Sequence, residues 1–72
     1  MNMAPEVSRT CLYSTGPKVY AALITGVHTV GEDGEYYVDL AVFPNDRGAY
    51  GIHAAKFDVD GEGLPSTAYY TL

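Results

Sequence analysis

The sequence predicts an all-β protein: a small antiparallel barrel or meander of the SH3 or OB kind, with four to five short strands and an extended N-terminal arm. Segments rich in Val, Ile, Thr and Tyr alternate with clusters of Gly, Pro, Asn and Asp, as strands alternate with turns. Every connection between these segments is short. A chain of 72 residues buries only about 60% of its unfolded surface. We therefore expect the sheet to protect its edges by curling into a barrel.

Residues 1 to 17 follow neither the strand nor the helix period, and they contain turn-forming residues such as Pro5, Gly16 and Pro17. This composition predicts an extended arm over residues 1 to 17, followed by a barrel domain over residues 18 to 72. The arm is more apolar than a solvated tail requires. We expect it to lie against a neighbouring subunit, with a flexible terminus as the alternative.

The segment "KVYAALITGVHTV" has the composition of a strand, although Val19, Leu23 and Val27 also lie at helical spacing. Asp33-Gly34 resolves the ambiguity, because this pair favours the type I′ turn of a hairpin. "EYYVDLAVF" is then the antiparallel partner strand. Gly26 inside the first strand predicts a bulge or a bend.

The remaining chain predicts two further strands. "PNDRG" is a turn, in which Pro44 ends the preceding strand because it has no N–H for the ladder. "AYGIHAAKFDV" is the third strand, and "LPSTAYYTL" ends the chain as a short strand. Period-2 alternation predicts a core made of Leu23, Val27, Val38, Leu40, Val42, Ala55, Phe57 and Val59.

The net charge of −5 comes from nine acidic residues and four basic residues, and no two of the basic residues are adjacent in sequence. Binding to nucleic acid depends on neutralising phosphates, so we expect no nucleic-acid partner. The same charge argues against an anionic membrane surface, and no apolar run approaches the roughly 20 residues of a spanning helix. The N-terminus does not resemble a signal peptide. We expect synthesis in the cytoplasm and no membrane partner.

The sequence contains no recognisable catalytic or metal-binding motif. Cys11, His28 and His53 are scattered in sequence, without the paired spacing of zinc sites, so we expect no metal and no other cofactor. "DVDGEG" resembles a calcium loop but lacks its third carboxylate and the Glu at the twelfth position. The lone Cys11 fits a reducing compartment, with an intermolecular disulfide as the alternative. We expect a protein without catalytic residues, not an enzyme.

The seven tyrosines suit either an interface or cross-strand pairing on an exposed sheet face. On the second strand, Tyr37, Ala41 and Phe43 share one face with Asp39, and this face is too apolar for free solvent. The predicted interface residues are Met3, Val7, Leu12, Tyr13, Tyr37, Ala41, Phe43, Tyr69 and Tyr70.

"YAALITGVH" and "YYVDLAVFPNDRG" resemble small structural-cluster proteins of tailed bacteriophages and prophages. In these proteins an Ala-Ala-x-Ile-like strand precedes a Val-Asn/Asp-Leu-x-Val-Phe strand and a polar turn that ends in Gly. The matching positions are Ala21, Ala22, Leu23, Ile24, Val27, His28, Val38, Asp39, Leu40, Val42, Phe43 and Gly48.

The resemblance implies a phage context. Within it we expect a non-enzymatic structural subunit of the virion, in the first place a capsid decoration or cement protein. Its partners would be the major capsid protein or like subunits, on which it would be bound as a homo-oligomer or as part of the lattice. The alternative is an SH3-like adaptor that binds a host protein or peptide through exposed tyrosines.

Overall fold

The computed structural model describes residues 4 to 30 and 35 to 70. The described chain is all-β, and its strands form a closed five-stranded barrel, which confirms the predicted fold class. Each strand lies beside the next one in sequence, and β5 closes the barrel against β1. Within these two ranges, no helix has the length and apolar character needed to cross a membrane. The strands are β1 (Thr10–Ser14), β2 (Val19–Val30), β3 (Glu35–Phe43), β4 (Tyr50–Phe57) and β5 (Thr67–Tyr69).

Strand β1 corrects the prediction of an unpaired arm over residues 1 to 17. Residues 10 to 14 pair antiparallel with β2 on one side and with β5 on the other. The five residues "TCLYS" form a strand because a hairpin ladder with β2 and a long-range ladder with β5 satisfy their backbone groups. Four of the five strand pairings are antiparallel, and only the short β4–β5 contact, within the described sheet, is parallel.

The segment before β1 also lies on the barrel of its own chain, and its contact with a neighbouring subunit stays a prediction. Ser8 N–H donates to the carbonyl of Ile24 at 2.8 Å, and Ile24 N–H donates to the carbonyl of Arg9 at 3.0 Å. Closer to the terminus, Glu6 N–H donates to the Tyr70 hydroxyl at 2.9 Å. These bonds attach the segment to β2 and to the residue that follows β5.

The β2–β3 hairpin confirms the bulge predicted at Gly26, where the register shifts between Ile24 and Gly26. The bulge reverses which side of the sheet each residue faces. Ala22 and Ile24 are buried before it, and Val27 packs against the core after it. Leu23, predicted in the core, is therefore only half-buried and lies on the outer side. The predicted turn at Asp33-Gly34 lies outside the described residues.

The pairing between β3 and β4 contains a second bulge. Val38 pairs with Ala55, but Leu40 pairs with Ile52, so His53 and Ala54 bulge out of β4. Because of this bulge Ile52 packs against the core, although simple alternation placed it on the opposite face from Ala55.

The core lies inside the barrel and contains most of the residues predicted for it. Five are confirmed as buried, and two more, Val27 and Val59, are half-buried against the core. Among the described residues, the prediction missed six members of the buried hydrophobic core: Cys11, Tyr20, Ala22, Ile24, Ala68 and Tyr70. The confirmed residues are Val38, Leu40, Val42, Ala55 and Phe57.

Candidate functional site

The outer surface of the barrel carries an apolar patch that crosses β1, β2 and β3. Residues paired directly across an antiparallel ladder point to the same side of the sheet. Leu12 pairs with Ala21 and Ala21 with Phe43, which gives one row across three strands. Leu23 pairs with Ala41 in the adjacent row. We call these five residues, Leu12, Ala21, Leu23, Ala41 and Phe43, the outer apolar face.

The outer apolar face is accessible to solvent. Phe43 is 51% exposed, Ala21 is exposed, and Leu12, Leu23 and Ala41 are half-buried. Such contiguous apolar surface commonly marks an interaction site. The face therefore includes three of the predicted interface residues, together with Ala21 and Leu23, which the prediction did not include.

The other predicted interface residues have different positions. Tyr37 is half-buried. Tyr69 pairs with Leu12 and therefore extends the row of Leu12, Ala21 and Phe43 onto β5. Val7 is exposed on the segment before β1, whereas Tyr13 packs partly against the core. Tyr70 is a core residue whose ring contacts Phe57 edge to face at 5.0 Å. It is therefore not part of an exposed surface. Met3 lies outside the described residues.

Directly beside this face, two histidines flank the carboxylate of Asp39. His28 Nε2 lies 3.1 Å from Oδ2 of Asp39, within hydrogen-bonding distance. His53 Nδ1 lies 2.9 Å from Oδ1. The two imidazole rings contact each other edge to face, with centroids 5.6 Å apart. We call His28, Asp39 and His53 the His–Asp–His cluster.

The two bulges create this cluster, because they lie on the two strands that flank Asp39. Asp39 is paired with Gly26 at the bulge of β2. On the other side, Ala54 in the bulge of β4 donates its backbone N–H to Oδ1 of Asp39 at 3.0 Å. Ala54 has a φ of 59°, a left-handed conformation that is unusual for alanine. This conformation aims the N–H at the carboxylate and places His53 next to it.

The Asp39 carboxylate is stabilised in its charged form. The hydrogen bond from the Ala54 N–H, and then the hydrogen bond with His28, hold the pKa of Asp39 below its ordinary value. Hydrogen bonds to a carboxylate favour ionisation in this way. Asp39 thus holds a negative charge between the two histidines, beside the outer apolar face.

His28 and His53 are scattered in sequence, but the structure brings them together on either side of Asp39. Their separation in sequence hides the cluster, because three different strands supply its members. The available sequence signals were Asp39 on an apolar strand face and Gly26 in the preceding strand. Neither signal predicts where β4 bulges, so His53 could not be placed from sequence.

Other polar features of the sequence serve the fold. In the "DVDGEG" loop, the Asp58 carboxylate accepts hydrogen bonds from the backbone N–H groups of Asp60 at 3.0 Å and Glu62 at 2.8 Å. Such a carboxylate stabilises a turn locally.

Cys11 is buried, and burial raises the pKa of its thiol to about 11. Its burial argues against the intermolecular disulfide considered from sequence.

Comparison of the chain with protein-family models, curated proteins and solved structures gave no match. The features of the molecule that bear on its function are therefore the outer apolar face and the His–Asp–His cluster.

Proposed function

We propose that the protein is a non-enzymatic structural subunit of a tailed-phage virion, which decorates the assembled capsid shell by docking through the outer apolar face. The observation that carries this proposal is the exposure of Phe43 within a contiguous apolar patch on regular sheet. The phage context comes from the resemblance of the β2 and β3 sequences. The capsid lattice is thus the partner that covers the outer apolar face.

The energetics of the outer apolar face support docking. Removing apolar surface from water contributes roughly 25 cal/mol per Å², so a patch that includes a phenylalanine can supply several kcal/mol before association costs. The regular ladders of β1, β2 and β3 hold the patch in place, which limits the conformational entropy lost on binding. On a lattice, many modest contacts together stabilise the shell by mass action.

A matched pair of variants tests the docking face. Phe43 and Leu64 are almost equally exposed, at 51% and 50%, but Leu64 lies in the loop between β4 and β5. Phe43→Asp and Leu64→Asp therefore add the same charge at equally accessible apolar positions. We expect Phe43→Asp to reduce loading onto purified particles by roughly tenfold or more, as loss of an aromatic anchor does. Leu64→Asp should load like the unsubstituted protein.

The measurement is quantitative mass spectrometry of purified particles, with circular dichroism of each isolated variant to verify folding. Equal loading of the two variants would exclude docking through this face. Complete absence of the unsubstituted protein from particles would exclude the virion role. A folded monomer that is absent from particles but captures one host protein or peptide would support the adaptor alternative instead.

A further inference from the structure

We propose that the His–Asp–His cluster binds a divalent transition-metal ion, with Zn²⁺ as the representative ion. His28, Asp39 and His53 each offer one ligand atom, and the three atoms lie within 4.8 Å of one another. Two imidazole nitrogens and one carboxylate oxygen are a donor set suited to Zn²⁺ and similar borderline ions. Hard cations such as Ca²⁺ prefer sites made of oxygen ligands alone.

The three side chains can reach the spacing that such an ion requires if the exposed imidazole rings rotate. Ligand atoms around tetrahedral Zn²⁺, with bonds of about 2.0 to 2.1 Å, are about 3.3 to 3.4 Å apart. His28 Nε2 lies 3.1 Å from Oδ2 of Asp39 and His53 Nδ1 lies 2.9 Å from Oδ1, and one ligand atom from each of the three residues lies within 4.8 Å of the others. The side chains of His28 and His53 are 45% and 82% exposed. Both rings therefore have space to rotate until the three ligand atoms reach this spacing, and an ion has access from solvent.

The backbone holds the central ligand in place before any ion binds. The Ala54 N–H donates to Oδ1 of Asp39, which is the type of outer contact that orients a metal-binding carboxylate. Gly26 leaves the space in which Oδ2 lies, since a Cβ there would be only 2.8 Å from this oxygen. These contacts reduce the entropy that the carboxylate loses when it coordinates an ion.

Three protein ligands leave coordination positions for other molecules. Because His53 is highly exposed, water can complete the coordination in the free protein. A closed structural zinc site has four protein ligands. The cluster is thus an open, surface-accessible site beside the outer apolar face, and the proposal does not depend on the docking role of that face.

Isothermal titration calorimetry of the untagged, metal-free protein with ZnCl₂ tests the proposal. We expect one Zn²⁺ per chain, and a dissociation constant that rises roughly tenfold or more in both His53→Gln and Asp39→Asn. Both replacements are close in shape to the original side chains, and the Asn oxygen can still accept from Ala54. Asp60→Asn is the matched control, because it removes the same charge in the exposed "DVDGEG" loop. Its zinc affinity should be unchanged.

Two further readouts make the test decisive. Co²⁺ should give a visible absorption spectrum of bound cobalt in the unsubstituted protein and lose it in His53→Gln, while CaCl₂ should give no binding heat. Circular dichroism verifies that each variant is folded. Failure of the unsubstituted protein to bind Zn²⁺ up to millimolar concentration would overturn the proposal. Equal zinc affinity in His53→Gln, Asp39→Asn and Asp60→Asn would overturn it as well, whatever the particle-loading experiment shows.

Discussion

Gly26 leaves the space that the Asp39 carboxylate occupies: a Cβ at position 26 would lie 2.8 Å from Oδ2 and 3.4 Å from Cγ of Asp39. Position 26 therefore requires glycine, because the Asp39 side chain lies so close to its backbone. Asp39 cannot easily move away, because its carboxylate is hydrogen-bonded to the Ala54 N–H and to His28. This contact joins the bulge of β2 to the residue at the centre of the His–Asp–His cluster.

The first prediction is that Gly26→Ala destabilises the protein through Asp39. We expect a loss of about 1 to 2 kcal/mol in the free energy of unfolding, as found when an extra methyl group is forced into a filled space. In an Asp39→Ala background the same substitution should cost clearly less, because the clashing oxygen is gone. Urea unfolding of the four proteins in this double-mutant cycle measures the coupling. Equal costs in the two backgrounds would show that Asp39 is not the cause.

The second prediction concerns the backbone strain at Ala54. Its φ of 59° carries a penalty of roughly 1 to 2 kcal/mol for a residue with a Cβ, and its side chain is exposed. Ala54→Gly should therefore stabilise the fold by about 0.5 to 1 kcal/mol, after the greater flexibility of unfolded glycine is subtracted. The control is Ala21→Gly, at an exposed position in the regular part of β2, where glycine should destabilise. Thermal unfolding of both variants measures the difference, and a loss of stability in Ala54→Gly would contradict this account.

The third prediction is that the Tyr70 hydroxyl holds the segment before β1 on the barrel. It accepts the Glu6 N–H, and Arg9 lies over the Tyr70 ring at 4.2 Å. Tyr70→Phe keeps the ring but removes the acceptor, so we expect a loss of about 0.5 to 1.5 kcal/mol. Amide hydrogen exchange should accelerate at Glu6 and Ser8 before it does so in β3.

Tyr69→Phe is the matched control for Tyr70→Phe, because the described residues include no hydrogen-bond partner for the Tyr69 hydroxyl. It should leave exchange at the Glu6 amide unchanged. Unchanged exchange in Tyr70→Phe itself would mean that the segment is held by its other contacts, such as the Ser8 and Ile24 hydrogen bonds.

The fourth prediction concerns the reactivity of Cys11. Burial raises the pKa of its thiol from the ordinary 9.0 to about 11, so at pH 8 the folded protein should contain about 100-fold less thiolate than the unfolded chain. Reaction with a thiol reagent should be slower by at least that factor in the native protein than in denaturant. Equally fast labelling in both states would show that Cys11 is accessible.

The raised pKa of Cys11 also has a defined effect on stability. Because the folded state holds the thiol proton more tightly, the associated stabilisation is complete below about pH 9 and is lost as the pH rises towards about 11. Cys11→Ala should remove this alkaline dependence, at the cost of a small cavity in the core. Urea unfolding at a series of pH values from neutral to alkaline measures the effect.

The sequence by itself determined the features that depend on short-range chemistry. Alternation along β3 correctly placed Val38, Leu40 and Val42 in the core, because successive side chains of a regular strand point to opposite faces. Gly26 correctly indicated a bulge. The same local rules predicted an all-β chain with short connections.

The tertiary structure alone decided which residues meet. It made Thr10–Ser14 the strand that closes the barrel, since one of the two ladders that stabilise this short strand comes from β5, which is distant in sequence. It also placed Leu23 outside and Ile52 against the core, because each bulge inverts the alternation, so that residues before and after it do not follow one inside–outside pattern. The His–Asp–His cluster depends on both bulges and on the register of three strands. No local sequence pattern predicts the cluster, because the interactions that fix the bulges and the register form only when the strands pair.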